Sequence, residues 1–142
     1  MVAEPSAKRG EQFAERILKA FNDASMMLLI SVGHRTGLFD AMSVMEPESS
    51  VEIARRCGLH ERYVREWLGG MVVSGVVEYD PKGETYSLPA EHAAMLTRAA
   101  APSNMAVMAS YLPVMASVED EVVASESARR TARLASHSVP RP

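Results

Sequence analysis

A capped helix, a short turn, a second helix and a hairpin follow one another between Ser49 and Leu88, and few folds accommodate that order. Ser49 with Glu52 three residues on has the form of a capping box. The helix behind it carries Ile53 and Cys57 at i, i+4 and stops at Gly58, the residue type suited to a left-handed C′ position. From His60 to Ser74, Tyr63, Val64, Trp67, Leu68, Met71 and Val72 recur at helical spacing, and Gly75 ends the run. Val76–Tyr79 and Thr85–Leu88 are β-prone. Asp80-Pro81-Lys82-Gly83 between them suits a type I turn, with Asp at i, Pro at i+1 and Gly at i+3. The predicted fold class is mainly α: a winged helix-turn-helix with a small two-stranded wing and flanking N- and C-terminal helices.

What flanks this unit decides how the rest of the 142 residues is organised. Residues 1–10 are polar, with no apolar leader behind Lys8-Arg9, and are expected to be disordered. A helix is expected from about Glu11, because Phe13, Ile17, Phe21, Ala24 and Leu28 recur at spacings of three and four. From Met26 to Ile30 it is apolar all round and must be covered on every side, by its own domain or by a second subunit. Phe13, Ile17, Phe21, Met26, Met27, Leu29 and Ile30 are therefore the candidate dimer-interface residues, and a homodimer is the expected assembly. The same run is far shorter than the roughly 20 residues that span a bilayer, so no membrane partner is expected.

Beyond the hairpin, Pro89 fits the first position of a helix through Ala93 to Leu96. Ala99–Pro102 reads as a linker. Ser103 can cap a further helix whose apolar side is Met105, Met108, Leu112, Met115 and Val118, and Pro113 should kink or split it. The domain is drawn at residues 11–124. From Ser125 the sequence turns to Arg, Ser and Pro without large apolar periodicity, and 125–142 is expected to be a disordered tail.

Charge separates the two parts. Residues 1–124 hold 11 Lys and Arg against 17 Asp and Glu, whereas the tail holds four Arg against one Glu. A DNA-binding domain usually shows the reverse, a basic folded part. Arg55, Arg56, Arg62 and Arg65 are the candidate DNA-binding residues, since Arg suits guanine edges and phosphate. Five acids share the segment from Ser49 to Asp80 with those four Arg. Phosphate neutralisation supplies most non-specific affinity, and this surface has little charge to spare for it. An i, i+4 pair such as Arg62–Glu66 accounts for these charges equally well. DNA binding is the alternative reading, not the favoured one.

Enzyme chemistry finds still less support. The eight Gly include no Gly-x-Gly, and there is no phosphate loop, no Gly-x-Ser-x-Gly, no Cys cluster and no paired His at metal spacing. His34, lying near Arg35 and Gly37, reads as a helix-end residue rather than a ligand. Ten Met point to an adaptable core or contact surface. A single Cys excludes an internal disulfide and makes a reducing cytoplasm the expected location. No catalytic, cofactor-binding or metal residues are assigned.

Val51-Glu52-Ile53-Ala54-Arg55-Arg56-Cys57-Gly58-Leu59, Arg62-Tyr63-Val64-Arg65-Glu66-Trp67-Leu68-Gly69-Gly70-Met71 and Gly75-Val76-Val77-Glu78-Tyr79 carry a resemblance, as does Gly33-His34-Arg35-Thr36-Gly37-Leu38-Phe39-Asp40 upstream. Together they resemble the N-terminal winged-helix domain of bacterial S-adenosylmethionine-dependent methyltransferases, some of them described as transcriptional regulators. The resemblance runs from about Glu11 to Val123. It implies a domain that mediates dimerisation and helps cover a substrate pocket, while a following Rossmann-like domain binds S-adenosylmethionine and transfers the methyl group. That glycine-rich domain has no counterpart in these residues. The expectation is a truncated or frameshifted member, non-catalytic and without a cofactor of its own.

Overall fold

Apolar residues at every third or fourth position, with no Pro between Ser6 and Thr36, let α1 run unbroken over Ala7–Thr36. The computed structural model describes residues 6–137, with side chains described as far as Arg130. It divides into two units, one ending at Ser110 and one beginning at Tyr111. The first holds α1, α2 (Leu38–Met42), α3 (Ser50–Cys57), α4 (Glu61–Val73), strands β1 (Glu78–Asp80) and β2 (Thr85–Ser87), α5 (Ala90–Leu96), a 3-10 turn at Arg98–Ala100 and α6 (Ala106–Ala109). The second holds α7 (Leu112–His137). No helix among the described residues is long and apolar enough to cross a membrane.

The core forms where α1, α2, α3 and α4 meet, with Phe39, Leu38, Ile53, Leu68, Met71 and Val64 closed off from solvent. Trp67 is its hinge pin. Its indole lies edge-on to Phe39, ring centroids 5.3 Å apart, and its Nε1–H donates to the Leu29 carbonyl of α1 at 2.8 Å. Only a glycine at position 33 lets α1 come this close, because a Cβ there would stand 2.5 Å from Trp67 Cζ2 and 2.7 Å from Phe39 Cε2. Arg98 fastens the far side. Its backbone N–H donates to Asp40 Oδ1 at 2.7 Å, and its guanidinium donates to the Asp40 carboxylate and to the His34 carbonyl that ends α1.

The helix-turn-helix takes the expected form, with two local differences. Ser49 Oγ accepts from the Glu52 N–H at 3.3 Å, and Gly58 closes α3 in the left-handed region at φ 64° with Leu59 N–H reaching back to Ala54 O. The reciprocal half of the capping box is not made. Glu52 turns its carboxylate to the Arg55 guanidinium instead, a charged donor that outcompetes a backbone N–H. Tyr63, expected on the buried stripe, is 71% exposed, because it stands at the edge of that stripe and stacks beside His60. We expect Ser49→Ala to lower stability by about 1 kcal/mol, read as a shift in the urea midpoint at unchanged slope.

The wing is a two-stranded antiparallel sheet with Tyr79 opposite Tyr86. Asp80 holds its turn by accepting from the Lys82 and Gly83 N–H groups at 3.0 and 3.2 Å, an Asx-type turn. Strand pairing begins at Glu78 rather than Val76, since Val76 and Val77 donate back to Met71 O at the end of α4. Glu48 exchanges both backbone hydrogen bonds with Tyr86, tying the wing to the segment before α3.

The ends depart further from the sequence reading. Helix α1 begins at Ala7, not Glu11, while residues 1–5 of the expected disordered end lie outside the described residues. Pro89 precedes α5 as its N-cap, and Asn104 rather than Ser103 accepts from the Ala106 N–H at 3.0 Å. The expected helix over Met105–Val118 is split: α6 ends at Ala109 and α7 begins at Leu112, with Pro113 in its first turn, where its missing N–H costs least. The tail expected to be disordered from Ser125 instead continues α7 to His137, and 138–142 lie outside the described residues. Ala and Arg are strong helix formers, and an i, i+3 ion pair between Glu126 and Arg129 (3.1 Å) supports the helix where packing does not.

Candidate functional site

Two surfaces carry the residues singled out from the sequence. On the helix-turn-helix face, Arg55, Arg56, Arg62 and Arg65 are all exposed. Arg55 is bound to Glu52, with Nε 3.0 Å from Oε2. That hydrogen bond, ahead of the attraction of the two charges, holds the Glu52 carboxyl below its usual range, and the Arg55 guanidinium is raised in turn. Arg65 approaches Glu61 at 3.5 Å, and Glu61 also accepts from Ser50 Oγ at 2.9 Å. The observed i, i+4 pair is thus Glu61–Arg65 and not Arg62–Glu66. Acid N-terminal to base is the orientation a helix favours. Arg56 and Arg62 have no ion pair among the described residues, so half of the candidate DNA-binding set is already neutralised locally.

The second surface is α1. Every residue from Ser6 to Ala24 is exposed, so about 27 Å of helix, at 1.5 Å per residue, stands clear of the core. Phe13, Ile17 and Phe21 lie open on it, Phe21 at 70% exposure. Four other interface candidates are placed differently. Met26, Met27 and Leu29 are half-buried against the chain's own core, and Ile30 is a core residue at 7% exposure. The all-round apolar run is therefore largely covered from within, and the uncovered apolar face lies one to four turns nearer the N-terminus. Leu18, 64% exposed and three residues before Phe21, extends that face and was missed from sequence because it falls off the strict 13-17-21 spacing.

Between α1 and α4 runs a groove of about 780 Å³. Gly69 opens it, since nothing stands within 4 Å of where its Cβ would be, and Met26, Leu29 and Val73 make its apolar part. Asp23, Arg65 and Glu66 rim it. Among the described residues no cluster of three His, Cys, Asp or Glu could hold a metal ion. Burial pushes the half-buried Cys57 thiol up, so at neutral pH it is protonated and a poor nucleophile.

The model of the Rv2258c-like winged HTH domain matches residues 24–98. No curated protein sequence matches the chain. Among solved structures, PigF with SAH aligns at TM-score 0.58 and 22% identity over 77% of this chain, and human N-acetylserotonin methyltransferase in complex with SAM at 0.59 and 16% over 80%. At these identities the likeness is one of fold. The chain spans 29% and 32% of those two proteins, about a third of their length. With more than half of its 142 residues inside the family match, the chain belongs to the Rv2258c-like winged helix-turn-helix domain family.

Proposed function

We propose that this chain is the dimerisation domain of a methyltransferase-like protein, that it forms a homodimer in a cytoplasmic setting, and that it transfers no methyl group by itself. The observation that supports this reading is the projecting half of α1, which offers Phe13, Ile17, Leu18 and Phe21 to solvent. A lone helix of this length is marginal in water, and its stability in proteins comes from packing an amphipathic face. Bare aromatic residues on such a helix have a reason to be there when a second surface covers them. Methyl transfer and S-adenosylmethionine binding are assigned to a further domain. The single sheet among the described residues is antiparallel and two-stranded, whereas a Rossmann-type nucleotide site is built on parallel strands.

The test is a chain carrying Ile17→Asp and Phe21→Asp. Neither residue belongs to the core, so the winged unit should melt cooperatively as before while the dimer dissociates at least a hundredfold more readily. A dimer as tight as that of the unaltered chain would sink the reading. Duplex DNA titrated at low and moderate salt should show only weak binding, because Arg56 and Arg62 are the unpaired cations of the four. Steeply salt-dependent, sequence-selective binding would favour a DNA-binding regulator instead. Calorimetry with S-adenosylmethionine should show no heat.

A further inference from the structure

Where the root of the wing meets α1 and α5, a second pocket of about 250 Å³ opens. Met26 of α1, Val76 and Met95 of α5 are among its apolar walls, and Glu91 and His92 supply its polar side chains. We propose that this pocket binds a small protonated arylalkylamine, its ring between the two methionines and its ammonium against His92 and Glu91. The site does not depend on the dimer.

Three observations carry the assignment. The first is the direction of the hydrogen bonds. His92 Nδ1 lies 2.8 Å from the Val76 carbonyl oxygen. A carbonyl only accepts, so Nδ1 carries the proton, and in the neutral ring Nε2 keeps a lone pair. Nε2 has no hydrogen-bond partner among the described residues, and Glu91 is exposed and in no ion pair among them. The Gly75 and Val76 N–H groups at the pocket are spent on the Val72 and Met71 carbonyls. No Lys or Arg lines it. The side chains therefore offer a ligand acceptors and a negative charge, which repel a carboxylate or phosphate and suit an ammonium with its N–H donors.

The second is size. An apolar cavity of about 150 Å³ is enough for benzene, so 250 Å³ admits one ring with a short arm. The third is the wall. Met26 is half-buried and Met95 is 48% exposed, so both unbranched side chains have room to turn onto a ligand. Thioethers make favourable contacts with aromatic rings, which selects an aryl body for the amine.

The full chain, labelled at its methionine methyls, tests this by nuclear magnetic resonance with phenethylamine as the probe. At about pH 8 free imidazole is neutral and an alkylammonium is still protonated. The expected result is saturable movement of the Met26 and Met95 methyl signals, with a dissociation constant below about 1 mM. Phenethyl alcohol, of the same shape but uncharged, should bind at least about fivefold more weakly, and phenylacetate should not bind. No saturable movement of these two methyls would overturn the site, whether or not the chain is a dimer by sedimentation. Equal binding of all three probes would overturn the amine assignment.

Glu91→Gln should weaken phenethylamine at least about fivefold with the melting temperature unchanged, since Glu91 lies outside the core. His92→Phe keeps a ring but no acceptor, and should weaken it by at least about tenfold. It also leaves the Val76 carbonyl without its partner, so Met95→Trp provides a variant that spares that bond. From its exposed position outside the core, the larger side chain should fill the pocket and abolish binding while the winged unit melts as before. A Met95→Trp chain that binds as tightly as the parent would put the amine elsewhere and overturn the site. Unchanged affinity in both Glu91→Gln and His92→Phe would do the same for the two acceptors.

Discussion

Replacing Trp67 with alanine removes about 3–5 kcal/mol of stability, a large part of the roughly 5–15 kcal/mol a domain has. Trp67 is 4% exposed, it seats Phe39 edge-on, and it connects α4 to α1 through the Leu29 carbonyl. Its loss leaves a cavity among α1, α2 and α4 that rigid neighbours fill only in part. Trp67→Phe should cost less, about 1–2 kcal/mol, because most of the apolar area stays and the Leu29 carbonyl keeps its place in the helix ladder. Circular dichroism during urea unfolding reads both variants. The unaltered protein can also be followed by fluorescence, since Trp67 is its one tryptophan. Equal and small losses in the two variants would mean that α1 is not held where the structure places it.

Gly33→Ala sets two effects against each other, and their sizes decide the sign. Alanine gains up to about 1 kcal/mol over glycine inside a helix. At position 33, however, the new methyl lands 2.5 Å from the Trp67 ring and 2.7 Å from the Phe39 ring, both fully packed. Overpacking of this kind costs about 1–3 kcal/mol, so the net change is destabilising, by about 1–2 kcal/mol. Gly69→Ala is the control. It sits in a helix with open space around its Cβ position, so it should raise stability by about 0.5–1 kcal/mol. Gly70 falls between, because its only close neighbour is a methyl of Leu29, the movable end of a half-buried side chain. Thermal midpoints in the order Gly69→Ala above the parent and Gly33→Ala below it would bear this out; a stabilised Gly33→Ala would refute the close approach of α1 to α4.

The winged unit was readable because its signals are local. Ser49, Gly58, Gly75 and Asp80 each act on backbone groups within a few residues, so the sequence itself holds both partners of each interaction. Glu52 shows where this ends: the Ser49 N–H and the Arg55 guanidinium both lay within its reach, and only geometry reveals that the charged one wins. The covering of a surface is less local still. Periodicity says that Phe13, Ile17 and Phe21 share a face, but not that the face is bare, nor that Ile30 is taken by the chain's own core. Tyr63 was misjudged for the same reason, being an edge position whose fate depends on what lies beside α4. In the last helix the failure was different. Poor apolar periodicity in 125–137 speaks against packing, not against a helix that Ala, Arg and Glu126–Arg129 pairing can sustain.

Sedimentation equilibrium of the unaltered chain between about 1 and 50 µM reads the central idea with nothing mutated or labelled. Two chains should travel together across most of that range, their association little changed by moderate salt, because apolar residues supply most of the contact. A single chain's mass throughout, with α1 nevertheless helical, would mean that the bare face of α1 does not hold two copies together.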